Sequence, residues 1–255
     1  MNWLNWRNFI EYKYEETSFR MKWWIFLQVV YVPLEQNEKG MNWKMKKSEA
    51  TKMVEILRKT YPEAGCSLDF KTPFELVVAV MLSAQCTDER VNKTTPELFN
   101  RCQTIEDYAN IDIDELERII HPCGFYKNKA KNIKLCANQI LTKFGGEVPK
   151  TMEELMSLAG VGRKSANVIM LEVFGNAQGI AVDTHVKRIS NLIGLSNEKE
   201  PIKIEQDLLK IFDKKDLKDI NHLLIWHGRN TCVARRPQCE NCTIKQFCKH
   251  YEETK

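Results

Sequence analysis

The chain has 255 residues, 43% of them hydrophobic and 28% charged, with a net charge of +4. That is room for one large or two small domains around a real core, in a composition ordinary for a soluble globular protein. A charge of +4 is too weak by itself to mark a nucleic-acid binder, and nine cysteines without a secretory pattern argue against a disulfide scaffold and for a reducing cytoplasm.

Residues 1–40 differ from the rest and hold four of the six tryptophans. "MNWLNW" at the start resembles "MNWKMKK" at 41, so Met41 is an alternative start and 1–40 an extension of unknown role. The apolar run Trp23–Val32 is too short to span a bilayer, which needs about 20 residues. No small-residue cleavage site follows it, so neither a membrane span nor a signal peptide is expected.

From Ser48 the pattern is helical. "SEATKMVEILRKTY" sets Met53, Ile56, Leu57 and Tyr61 at helical spacing. "PFELVVAVMLSA" is apolar nearly all round and predicts a central buried helix begun by Pro73. "TDERVNKTTPELF" opens on a cap signal, and "DIDELERII" is a short amphipathic helix stopped by Pro122 and Gly124. "YKNKAKNIKLCANQILTKFGG" is a long helix ending at Gly145–Gly146, and Thr151 with Glu154 has capping-box spacing. The best period-two run, "GIAVDT", is short, so the fold class is all-α.

Helix 151–158, "AGVG" and helix 163–174 make a helix–hairpin–helix. Gly160 and Gly162 accept positive φ, and the turn at Gly160, Val161, Gly162 and Arg163 exposes backbone N–H groups at a helix start. Such donors favour a phosphate and suit DNA bound by its backbone. Lys164 lies on the first turn of that helix, where the positive dipole end favours the free amine that a Schiff base needs, as would partial burial; its plainer reading is a solvated surface lysine. Helix 163–174 rises about 18 Å and residues 175–182 span up to about 27 Å when extended. The chain can therefore return to the lysine with Asp183 of "AVDTHVKRI". An aspartate there is an N-cap, and it could also shuttle a proton or stabilise a sugar cation.

Cys232, Cys239, Cys242 and Cys248 are spaced C-x6-C-x2-C-x5-C, four thiols in 17 residues, which points to metal. The spacing alone leaves zinc and iron–sulfur open. Arg235 and Arg236 between the first two ligands are a solvated pair or a phosphate contact.

Together, residues 48–250 resemble endonuclease III, of the helix–hairpin–helix DNA glycosylase superfamily. "LAGVGRKSAN" is similar to the hairpin with the catalytic lysine, "AVDTHVKR" to the catalytic aspartate segment and "CVARRPQCENC…C" to the [4Fe–4S] spacing. "MLSAQCTD" resembles the segment whose glutamine, Gln85, fills the gap left by an extruded base, and "CGFYKNKAKNI" the one giving a second wedge, Phe125. Three positions depart from the family: Ala159 stands for a common proline, Ser165 for threonine and Phe125 for an aliphatic residue.

The resemblance implies two helical domains flanking a DNA-binding cleft. A six-helix domain, 66–176, ends in the hairpin at 151–174; residues 41–65 plus 177–255 form the iron–sulfur domain. It implies a monomeric, cytoplasmic base-excision-repair glycosylase for oxidised pyrimidines with AP lyase activity. Catalysis falls to Lys164 and Asp183, and the partner is double-stranded DNA with damaged pyrimidines or abasic sites. Lys127, Lys129, Lys131 and Lys134 gather at the start of the 126–143 helix, where Lys127 and Lys129 are candidate phosphate contacts. Ser83 and His185 are further candidates; their plainer readings are a helix-end hydroxyl and a structural histidine. The rivals are a mismatch adenine or thymine glycosylase of the same superfamily and a non-catalytic DNA-binding module with structural metal.

Overall fold

Why the chain turns where it does is visible at its helix ends. In a computed structural model, which describes residues 45–255, α1 (Lys47–Thr60) is followed by α2 (Pro73–Leu82). Pro73 occupies the first position of α2, and the Thr72 hydroxyl accepts from the Glu75 N–H. All the residues of α2 from Leu76 to Leu82 are buried, as expected of a helix apolar all round. Burial of each large side chain contributes about 1.5–3 kcal/mol.

Next come α3 (Asp88–Arg101), α4 (Ile105–Asn110), α5 (Ile113–Ile120) and, after the 3-10 turn His121–Cys123, α6 (Tyr126–Lys143). Thr104 and Asp107 cap α4 reciprocally, which lets six residues hold a helix. The α6 helix stops where Gly145 and Gly146 take φ of +61° and +84°, with the Gly146 N–H returning to the Ile140 carbonyl. The hairpin follows as α7 (Met152–Ser157) and α8 (Arg163–Phe174), then α9 (Thr184–Ile193), α10 (Pro201–Ile211), α11 (Leu217–Asn230) and α12 (Lys249–Glu253). The described residues contain no strand, and 179–183 is irregular chain. Seven α-helices fall within 66–176 rather than six. The expected extension, 1–40, lies outside the described residues, as do 41–44.

Two buried apolar clusters form. One draws on residues between Leu68 and Met170; the other joins Met45–Leu57 of the α1 region to residues from Ala177 to Ile244. Glu205 of α10 ties them. Its buried carboxylate accepts from Arg163 Nε (2.6 Å) and Asn167 Nδ2 (2.8 Å) of α8, and from the Ile180 N–H (3.3 Å). A Cβ on Gly179 would overlap Glu205 and Asn167, so only glycine lets this loop pass. The loop that ends at Asp183 is thereby fixed against the helix that begins beside Lys164.

Candidate active site and nucleic-acid interface

Lys164 and Asp183 line one recess of about 330 Å³. Lys164 projects from the first turn of α8, and its side chain is exposed. Asp183 caps α9: its Oδ1 accepts from the Val186 N–H at 2.8 Å. The cap holds one carboxylate oxygen and fixes the direction of the other. Ser83 and Gln85 share the recess rim, with Leu68, Val80, Val168 and Ile225 as apolar wall.

Five polar residues of the recess escaped the sequence reading: Ser67, Asp88, Asn221, His222 and Arg229. Asp88 accepts from Ser67 Oγ (2.6 Å) and Arg229 Nη2 (2.8 Å). Burial pushes its carboxyl up, but those two hydrogen bonds and the Arg229 charge more than offset this and hold it below the ordinary range. Lys164 adds to that pull, which places the amine near a second acid. His222 Nε2 meets Glu172 Oε1 at 2.6 Å, joining α11 to α8. A cap signal at "TDER" was the one trace of Asp88 in the sequence; the other four leave no local pattern.

Gln85 and Phe125 are the two non-glycine residues with positive φ among the described residues, at +54° and +48°. Such backbone is strained for residues with a Cβ and persists only where neighbours enforce it. Phe125 is 62% exposed, an apolar ring held out in solvent.

Lys129 ties the chain just ahead of both turns, where the sequence led one to expect an exposed side chain. Its ammonium is buried, donating to the Leu82 carbonyl (2.8 Å) at the end of α2 and the Cys123 carbonyl (2.9 Å) before Phe125. Burial lowers its pKa. An amine enclosed by two carbonyls is not free for a phosphate, contrary to the expected contact. Lys134 is likewise bound by the Ala109 and Ile111 carbonyls, whereas Lys127 and Lys131 are exposed.

In the hairpin, Gly160 has φ +76°, and a Cβ there would stand 2.6 Å from Met81 Cε. Gly162 instead has φ −90°, caps α8 without a side-chain hydrogen bond and faces open space. Val161 is also corrected: its side chain is buried and its N–H donates to the Leu158 carbonyl (3.2 Å), so it offers no free donor. Arg163 turns onto Glu205, which occupies its Nε. Ser83 Oγ donates to the Val80 carbonyl (2.9 Å), the helix-end role. His185 does not line the recess; its buried Nδ1 lies against Gly228 of α11.

Cys232, Cys239, Cys242 and Cys248 line a second recess, with Leu192, Ile193 and Ile244 among its walls. None is in a disulfide. Arg188 of α9 anchors the loop through the Gly228 (3.1 Å) and Cys232 (2.6 Å) carbonyls. Among the described residues no three His, Cys, Asp or Glu are grouped to hold a single metal ion. Arg235 and Arg236 are exposed between the first two thiols. No described helix is long and apolar enough to cross a membrane.

Residues 78–214 match the HhH-GPD superfamily base excision DNA repair protein family. Endonuclease III of Synechocystis sp. is 49% identical over 203 residues, 80% of this chain and 93% of that one. Two solved structures, a non-covalent endonuclease III–DNA complex and a trapped endonuclease III–DNA covalent intermediate, are each 40% identical. Each has a TM-score of 0.77, with 83% of this chain and 99% of theirs covered. The chain belongs to the HhH-GPD superfamily of base excision DNA repair proteins and, within it, to the endonuclease III family.

Proposed function

We propose that this protein is a DNA glycosylase and AP lyase that removes oxidised pyrimidines from double-stranded DNA, acting as a monomer. The observation that carries the reading is the shared recess of Lys164 and Asp183, built from α8 and the cap of α9. The two apolar clusters support two lobes, 66–176 and 41–65 plus 177–255, with the duplex lying across the cleft between them.

The duplex is gripped by its backbone at the open N–H groups of Gly162 and the start of α8. Lys127, Arg235 and Arg236 add charge along the strand. A damaged pyrimidine pairs poorly, so extruding it costs less than extruding an intact one. Gln85 and Phe125, presented by their strained turns, occupy the space left behind. In the recess Asp183 stabilises positive charge growing on the sugar and accepts a proton from Lys164. The Lys164 amine attacks C1′, the base leaves with the glycosidic electron pair, and ring opening with proton transfer gives a Schiff base. Loss of a C2′ proton then expels the 3′ phosphate by β-elimination.

The four cysteines suit a [4Fe–4S] cluster. They are soft donors from one loop around one recess, and the family resemblance selects iron–sulfur over zinc. Bound there, the cluster would supply structure rather than chemistry, fixing the loop that carries Arg235 and Arg236. Purified protein is expected to contain iron and no zinc, with visible absorption lost on acid treatment; zinc in its place contradicts the assignment.

The function is tested with duplexes carrying thymine glycol, an abasic site or no lesion. Cleavage of the first two and not the third is expected. Equal treatment of damaged and undamaged strands contradicts the proposal.

A further inference from the structure

We infer that His227 is a positioning residue for the cysteine-bound cluster: its Nε2–H donates to Cys242 Sγ and draws off part of the charge that this sulfur carries against iron. The inference rests on the assignment of the four thiols to a [4Fe–4S] cluster and adds to it the side chains behind one ligand.

His227, near the end of α11, is 1% exposed. Its Nε2 lies 3.7 Å from Cys242 Sγ, a hydrogen-bonding distance for sulfur. Its Nδ1 lies 3.0 Å from the Tyr61 hydroxyl, which in turn lies 2.7 Å from Thr231 Oγ1. The Tyr61 ring meets the imidazole edge-on, with centroids 5.9 Å apart. Three parts of the fold converge here. The end of α1 supplies Tyr61, the end of α11 supplies His227 and Thr231, and the cysteine loop supplies Cys242. Both ring nitrogens are engaged, so the imidazole cannot turn over without breaking two contacts.

The direction of these bonds follows from the sulfur. A metal-bound thiolate carries no proton and can only accept, so the nitrogen that faces it must be the N–H. In the neutral ring Nδ1 then accepts from the Tyr61 hydroxyl, and the Tyr61 oxygen accepts from Thr231. The donors run one way, from Thr231 through Tyr61 and His227 to Cys242. A protonated Cys242 thiol would reverse every bond. Backbone N–H groups gather on the same side: Ile244 donates to the Cys242 sulfur, and His250 and Tyr251 to that of Cys248. Hydrogen bonds to cluster sulfurs favour the more electron-rich state and raise the reduction potential. The potential is therefore a readout of the His227 bond, although the excision chemistry draws no electron from the cluster.

The test is film voltammetry on iron-loaded protein, with iron content and melting temperature measured alongside. His227→Phe keeps a ring in the buried site and removes the donor. At a fixed electrode potential its reduced-to-oxidised ratio is expected to fall by about tenfold, the effect of one charge-assisted hydrogen bond, which is about 59 mV for one electron. His227→Gln places an amide N–H where Nε2–H stood and is expected to recover most of that shift. Tyr61→Phe leaves the imidazole in place and frees its other nitrogen. It is expected to shift the potential the same way by less, and it keeps the test open if His227→Phe fails to hold iron. An iron-loaded His227→Phe or Tyr61→Phe protein with the wild-type potential overturns the inference alone. So do Phe and Gln variants of His227 that lose melting temperature equally and share one potential, which marks a packing role. A wild-type protein that carries zinc or no metal overturns the cluster assignment, and this inference with it.

Discussion

Lys127 and Lys129 sit two residues apart on one helix, one exposed and one buried against two carbonyls. Nothing in "YKNKAKN" separates them, because burial is decided by where α2 and the 121–123 turn end, more than a turn of chain away. Lys129→Ala leaves two carbonyls without their donor and is expected to lower stability by about 2–4 kcal/mol. The salt dependence of DNA binding should stay as in wild type. Lys127→Ala should do the reverse, leaving the melt intact and reducing the logarithmic salt slope by about 0.9. Asp88 offers a pH test. Its carboxyl is held below the ordinary range in the folded chain, so its contribution is present above the usual aspartate pKa and fades as pH falls through the folded value. Arg229→Met is therefore expected to cost about 1 kcal/mol near pH 7, discounted because the guanidinium is partly in solvent. The deficit should narrow in melts taken at pH 4 and below; a deficit independent of pH would mean that Arg229 acts by packing alone.

At the scale of elements, the hairpin was legible. "LAGVGRKSAN" contains its own turn, its helix start and its lysine, and these remain neighbours because they are local in sequence. What the letters do not give is which glycine carries the turn. Only Gly160 has positive φ, and it packs on Met81 and Asn132, while Gly162 is open. Gly160→Ala is expected to destabilise by about 1–3 kcal/mol. Gly162→Ala should leave the melt within about 0.5 kcal/mol and weaken DNA binding, because its new methyl stands in the open space proposed for the phosphate. The reverse ranking in paired melts and binding curves would place the phosphate elsewhere. Helix ends were readable for the same local reason: Pro73 opens α2, and Thr151 and Asp183 each accept from the third residue onward. The strained turns at Gln85 and Phe125 were not, since neither carries a glycine and the chain ahead of each is held by a distant lysine, Lys129.

In the molecule as a whole, function depends on chain segments that meet across long separations. Arg229 reaches Asp88 across 141 residues, and Glu205 reaches Asn167 across 38. No periodicity or short motif encodes such meetings, which is why half the polar recess was invisible in the sequence while Lys164 and Asp183, each inside its own motif, were not. Glu205→Leu strands Arg163, Asn167 and the Ile180 N–H and is expected to cost about 3–5 kcal/mol, read by denaturant melts. The proposed lyase chemistry needs Lys164 and Asp183 to act together in their shared recess. Borohydride reduction during reaction with damaged duplex, followed by peptide mapping of the trapped adduct, tests it most directly. The DNA should be found covalently attached to the peptide containing Lys164, with no adduct from Lys164→Ala and a slowed one from Asp183→Asn. An adduct on another residue, or strand cleavage by Lys164→Ala at the wild-type rate, would contradict the account.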